Sequence, residues 1–264
     1  MARPAEYLAA YDEELRTDAE TPGALAVTRL GPLRLVTFGG GHGFITYRDL
    51  GGADAAVLRE WAGAALEHFR ADPGISEVEW KTRAHDRAPG LYDALADAGF
   101  VADERESIMI GEARLLAVDV ELPAGVELRR ITGERDVRAL AAMQNEVFGN
   151  TTADGMTAEL VERLSRADGL ELWVAEADGL VVSGGRLDPV AGTQFAGIWG
   201  GATRPEWRGR GIYRALTAAR ARSALRLGKR LIHSDSTEFS RPILERAGLV
   251  EVSTTTPYRW RRDG

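Results

Sequence analysis

The chain carries an internal repeat, and a repeat of this spacing confines it to a duplicated architecture. Leu95-Ala96-Asp97-Ala98-Gly99-Phe100-Val101 parallels Leu244-Glu245-Arg246-Ala247-Gly248-Leu249-Val250, with Gly248 standing 149 positions after Gly99. The hairpin-like residues 26–33 parallel residues 173–180 at an offset of 147. A helix that ends on glycine is common and explains one such match. It does not explain two at nearly equal offsets.

Each half then reads the same way. In the second half, residues 126–131 form a strand, and Thr132 caps a helix with Arg135, Val137, Leu140, Ala141 and Val147 at helical spacing. A shorter helix follows at 157–166. A hairpin pairs 172–177 with 180–187 through Asp178-Gly179. Strand 195–203, helix 211–227 ended by Gly228, strand 231–234 and helix 240–247 come next, and strands 250–253 and 257–261 complete this sheet. The first half is shorter: a helix near 5–15, a hairpin of 25–28 with 33–38, strand 44–48, helix 54–69, strand 78–82, helix 91–98 and strand 107–110. The halves are expected to divide as residues 1–115 and 122–264.

The junction Thr203-Arg204-Pro205-Glu206-Trp207-Arg208-Gly209-Arg210-Gly211-Ile212-Tyr213 lies where an apolar strand ends and an alanine-rich helix begins. Glycine there allows positive φ and close approach of a ligand to the backbone. The first helical turn presents N–H groups without partners at the positive end of the helix dipole. Such a nest suits phosphate oxygens, and the arginines add mobile cations.

Strand, Pro-x-Trp-Arg-Gly-Arg-Gly, then helix resembles the GNAT superfamily of CoA-dependent N-acyltransferases, whose pyrophosphate loop follows Arg/Gln-x-x-Gly-x-Gly/Ala. The resemblance covers the second half well and the first in outline. It implies an α/β (α+β) fold of two tandem GNAT-like domains, each a mixed, mostly antiparallel sheet flanked by helices. It implies acetyl-CoA as co-substrate, held by Gly201, Ala202, Thr203, Arg208, Gly209, Arg210, Gly211, Ile212, Tyr213, Arg214 and Thr237. Tyr213 departs from the pattern, which has a small residue there. Gly200-Gly201 within a strand reads as a bulge or close approach, one that frees an amide to polarise the thioester carbonyl; the alternative is relief of packing against a helix.

The superfamily's tyrosine acid falls on Leu244, which cannot protonate a thiolate. Ser240, one turn earlier, either stands in for it or caps the helix ahead of Pro242. Glu146 and Asp188 are the candidate bases for the acceptor ammonium, each also readable as a solvated surface charge. Trp199, beside the glycine pair, either lines the acceptor site or belongs to the core. The first-half counterpart of the loop, Asp49-Leu50-Gly51-Gly52-Ala53-Asp54, has carboxylates and no cation, which would repel phosphate. The first half is therefore expected to be a degenerate GNAT-like domain without a cofactor site. Gly39-Gly40-Gly41-His42-Gly43 precedes a strand and reads as an inter-strand connection.

Composition closes off other classes. Of 264 residues, 28% are charged with formal net charge −7, so bulk charge does not invite nucleic acid. The local basic cluster Arg204, Arg208, Arg210, Arg214, Arg220 and Arg222 reads either as a solvated helix face or, beside the nest, as partly meeting the CoA phosphates. No apolar run approaches the ~18 residues that span a bilayer, and the N-terminus lacks a signal-like apolar core. Absence of cysteine excludes thiolate nucleophiles and favours direct transfer in a ternary complex, and His42, His68, His85 and His233 have no metal-ligand spacing. The expectation is a cytoplasmic, metal-free N-acetyltransferase, monomer or homodimer, acting on a small-molecule amine. O-acyl transfer or another acyl-CoA is the alternative, as is a CoA-binding regulator without turnover.

Overall fold

The computed structural model describes residues 4–149 and 153–262, which cluster into two compact units. Unit 1 holds Met1–Ile108, Asp235–Glu238 and Glu251–Gly264; unit 2 holds Met109–Ser234 and Phe239–Val250.

Unit 1 opens with α1 (Pro4–Ala10), extended by a wider turn over Tyr11–Leu15. The hairpin β1 (Ala26–Leu30) and β2 (Leu33–Phe38) turns through Gly31 at φ +55°. β3 (His42–Thr46), α2 (Ala55–Arg70), β4 (Glu77–Arg83), α3 (Leu91–Asp97), β5 (Val101–Ala102) and the first residues of β6 (Glu106–Glu112), which belongs to unit 2 from Met109 onward, follow. The run Gly39–Gly41 is a tight helical turn leading into β3. α2 buries Leu58, Ala62, Ala65, Leu66 and Phe69, spaced so that one face meets Trp80, Ile45 and Leu35 of the sheet.

Unit 2 contains α4 (Ala113–Leu116), β7 (Val126–Ile131), α5 (Glu134–Phe148), α6 (Ala153–Arg166), β8 (Glu171–Ala177), β9 (Leu180–Pro189) and β10 (Phe195–Thr203). α7 (Ile212–Arg226), β11 (Leu231–Ser236) and α8 (Arg241–Arg246) follow, before β12 (Val250–Arg261). Asp178 and Gly179 both have positive φ, +50° and +79°, as the tight β8–β9 turn requires. The helix expected from Thr132 is capped instead by Gly133, with Glu134 and Asp136 in the first turn offsetting the dipole. Leu140, Val174, Val181 and Ala202 pack on the α5/α6 side of this sheet, and Ile198, Ala221, Ala224 and Ile232 on the α7 side.

The repeat holds in hydrogen-bonding detail. Gly99 and Gly248 have φ +94° and +102°. Phe100 N–H donates to Leu95 C=O and Leu249 N–H to Leu244 C=O, at 2.9 and 3.0 Å; both are the same left-handed helix ending. The hairpins match too, with Leu30 opposite Leu33 and Ala177 opposite Leu180. Unit 1 orders its strands β1-β2-β3-β4-β12 and unit 2 β8-β9-β10-β11, with the β3–β4 and β10–β11 pairs parallel. Pairs β1–β2, β2–β3, β4–β12, β7–β8, β8–β9 and β9–β10 are antiparallel.

The last strand departs from the sequence reading. The two pieces expected at 250–253 and 257–261 are one strand, running through Pro257. β12 pairs with β4 across seven positions, from Thr255–Arg83 to Arg261–Glu77, and has β6 as its other neighbour. Main-chain pairing of that length outweighs proximity in sequence, so residues 251–264 belong with the first unit.

Candidate active site

β10 and β11 pair in parallel only at Phe195–Leu231, Ala196–Ile232 and Gly197–His233. Beyond Gly197, β10 continues to Thr203 without a β11 partner, apart from the Ser234 hydroxyl donating to Ile198 C=O at 2.9 Å. The strand therefore presents an open backbone edge. On its other edge, pairing with β9 shifts between Trp199 and Ala202, and Gly200 sits at φ +59° in that bulge. The Gly200 carbonyl accepts from Gln144 Nε2 at 2.6 Å. Gln144, from α5, is a buried amide on an otherwise apolar face. Sequence reasoning missed it, although a polar residue three positions after Ala141 on that face was the available signal.

The loop beyond β10 has the expected shape. Pro205–Trp207 forms one tight turn; Gly209 and Gly211 then take φ +73° and +79°. Among the described residues, none of the six backbone N–H groups from Gly209 to Arg214 has an acceptor. Gly209, Arg210, Gly211 and Arg214 are exposed while Ile212 is buried, and the run leads into a 15-residue helix whose first-turn N–H groups lie at its positive end. Arg208 is tied back by Nε to the Thr203 carbonyl at 3.1 Å, and the Arg210 guanidinium stacks 4.9 Å over Trp207. Ser183 accompanies them, donating to Ala202 C=O at 2.7 Å.

Tyr213 is explained by its neighbour. A Cβ built on Gly201 would lie 2.7 Å from Tyr213 Cε2, so the ring occupies space that only glycine leaves. A small residue on the strand thus accommodates a large one on the helix, the reverse of the usual pattern. Arg220, counted with the basic cluster by sequence, is instead only 1% exposed. Its guanidinium donates to the carbonyls of Leu216 and Arg186 and to Thr217 Oγ1. Burial holds it below its usual pKa. It cannot serve as a mobile phosphate contact.

The remaining candidates separate. Glu146 Oε2 lies 2.6 Å from Arg204 Nη1, with the Glu146 side chain 63% exposed. Asp188 is buried between Arg163, 2.6 Å away, and Arg186, 3.2 Å away. Trp199 is half-buried, its indole nitrogen over Gly197 and its ring 5.1 Å edge-on from His233. His233, weighed in sequence only as a metal ligand, thus stands at the last paired position before the strands part. Ser240 makes no side-chain cap on α8, whose first turn instead receives the Ser240 carbonyl. Leu244 is 1% exposed in the core with Ala196, Ile198 and Ile232. Thr237 lies in unit 1.

The matching places in unit 1 are filled by the protein itself. At the start of α2, Asp54 Oδ1 accepts from the N–H groups of Ala56 and Val57 at 2.9 and 3.0 Å. The β3–β4 pairing ends at Ile45–Trp80, and just beyond it the fully buried Arg83 bonds Thr46 Oγ1 and Glu20. Burial works to raise the Glu20 carboxyl, but Arg83 and Lys81 hold it below its usual range.

Residues 137–248 match the model of the Acetyltransferase (GNAT) family. No curated protein matches the sequence. Among solved structures, a GCN5-related N-acetyltransferase from Kribbella flavida is similar with TM-score 0.69 and 18% identity, covering 100% of this chain and 97% of that one. A functionally unknown conserved protein from Staphylococcus epidermidis gives 0.68 and 11%, covering 91% and 95%. A tandem GNAT protein from the clavulanic acid biosynthesis pathway gives 0.60 and 16%, covering 98% and 96%. These likenesses establish the fold. No helix among the described residues is long and apolar enough to cross a membrane, and no three His, Cys, Asp or Glu among them are grouped to hold a metal ion. The family match spans the helix that steadies the bulge, the parted strands and the donor-rich loop; residues 137–248 thus match the GNAT acetyltransferases, within a chain that has the fold of a tandem GNAT protein.

Proposed function

We propose that the chain transfers an acetyl group from acetyl-CoA directly to the amine of a small molecule, using unit 2 alone for the co-substrate. The observation that carries this reading is the run of six unpaired amides from Gly209 to Arg214 at the head of α7, contrasted with the Asp54-filled helix start in unit 1. Two phosphates carry several acceptor oxygens, and such a nest satisfies them without further charge. Arg210 and Arg214 are the exposed cations beside it.

Acetyl-CoA supplies an acyl group activated as a thioester. The residues that would hold it are the loop for the pyrophosphate and Gly201, Ala202 and Thr203 on the open edge of β10 for the pantetheine arm. The bulge at Gly200-Gly201 interrupts the β9 pairing and so frees a backbone N–H that would receive developing carbonyl charge, a contribution of a few kcal/mol. Gln144, by gripping the Gly200 carbonyl, keeps that amide pointed during reaction. Of the two carboxylates, Glu146 is exposed enough to exchange Arg204 for water and accept the acceptor's proton. Asp188 is committed to two arginines and acts as a positioning group. With Leu244 in the core, the leaving thiolate takes its proton from water.

The test is steady-state acetylation of an amine panel followed by release of free thiol. The chain has no cysteine, so every thiol detected comes from CoA. Thiol release that needs an amine and follows sequential kinetics supports the reading. Ping-pong kinetics, or acetyl-CoA binding with no turnover for any acceptor, refutes it.

A further inference from the structure

Arg186 stands on β9 directly opposite Trp199, one residue before the bulge. Its neighbours at alternate positions, Gly184 and Asp188, meet Leu140 of α5 and Arg163 of α6. Arg186 and Trp199 therefore share the α5/α6 side of the sheet, opposite the face covered by α7. The side chain is 31% exposed. Asp188 Oδ2 lies 3.2 Å from its Nε as an ion pair, without a hydrogen bond to that nitrogen. Asp188 in turn is fixed by Arg163, and Arg163 by Asp168 at 2.8 Å. Among the described residues, the two terminal Nη nitrogens of Arg186 have no acceptor.

A half-buried guanidinium that is ion-paired through Nε and has both terminal nitrogens open can receive a carboxylate through two parallel hydrogen bonds. The same cation, beside the strand position where the amine must arrive, repels acceptors that carry only positive charge. From this juxtaposition we infer that the acceptor is a carboxylate-bearing amine of amino-acid type, its carboxylate held by Arg186 and its amine presented over Trp199 toward the bulge. This inference rests on the acetyl-transfer reading above.

The experiment compares amino acids with their decarboxylated amines as acceptors, in the full chain and in Arg186→Gln and Arg186→Lys. The expected result is a preference for the carboxylate-bearing member of each pair by about tenfold or more in kcat/KM, the size of a charged hydrogen bond. Arg186→Gln should remove the preference mainly through KM, and Arg186→Lys should restore part of it. Matched thermal midpoints show that both variants are folded. If the full chain acetylates both members equally, or prefers the decarboxylated amine, the inference falls and acetyl transfer stands. A preference untouched by Arg186→Gln also overturns it. If acetyl-CoA binds but no acceptor in either series releases thiol, both readings fall together.

Discussion

Gly211→Asp tests the phosphate nest most directly. Gly211 is the residue before α7, at φ +79°, and a Cβ there meets Val120 Cγ1 at 3.8 Å and the Glu121 carbonyl at 3.9 Å. Space is therefore available, and backbone strain is the cost. An L-residue in the left-handed region loses about 1–2 kcal/mol. Aspartate is the less strained choice, and its carboxylate also accepts from the first-turn amides, recovering about 1 kcal/mol as a cap. The unliganded protein should thus melt within about 4 °C of the parent. Binding is affected differently, because the new carboxylate occupies the donors that phosphate needs. Displacing it forfeits the cap, and a like charge within about 4 Å adds at least ~1 kcal/mol. The total of about 2–3 kcal/mol corresponds to a 30- to 150-fold weaker acetyl-CoA affinity. Gly211→Ala carries the strain without the carboxylate and should lose under about fivefold. Isothermal calorimetry on the three proteins decides the matter. Equal affinities for the aspartate and alanine variants would remove these amides from the cofactor site.

Three further outcomes follow from the same geometry. Gln144→Ala leaves the Gly200 carbonyl without its donor, so kcat should fall about tenfold while acetyl-CoA affinity stays within about twofold; a change confined to affinity would show that the bulge does not serve the reaction. Gly201→Ala drives a methyl against the Tyr213 ring and should destabilise by about 1–3 kcal/mol, with much of this recovered in the double variant Gly201→Ala/Tyr213→Ala; additive losses in denaturant unfolding would refute the pairing. In unit 1, burial and the neighbouring Asp235 push Glu106 up to about 7 despite Lys81. Its folded pKa lies above the usual 4.5, so its contribution is present below pH 4.5 and is lost as pH rises through about 7, by up to ~3 kcal/mol. Stability relative to Glu106→Gln should decline across that window, and a flat difference would refute it.

The features legible in the chain were local ones. Glycines that take positive φ, at 31, 99, 179, 209, 211 and 248, announce turns and helix ends because backbone sterics act within a few residues. The repeat, the two hairpins and the donor-rich loop follow from the same short-range rules, and so does the failure of the first-half loop, whose Asp54 caps its own helix.

What the tertiary structure decided depends on which distant strands and side chains meet. Nothing within residues 250–261 says that β12 should pair with β4, since an extended segment offers its hydrogen bonds to any free edge. Arg220 looked like its exposed neighbours until the sheet closed over it. Asp188 looked like a free base until Arg163 and Arg186 bracketed it. Gln144 became a brace for the bulge only when α5 was laid on β10. A backbone angle is set by the residue that carries it, whereas a partner across the sheet is chosen by the whole fold.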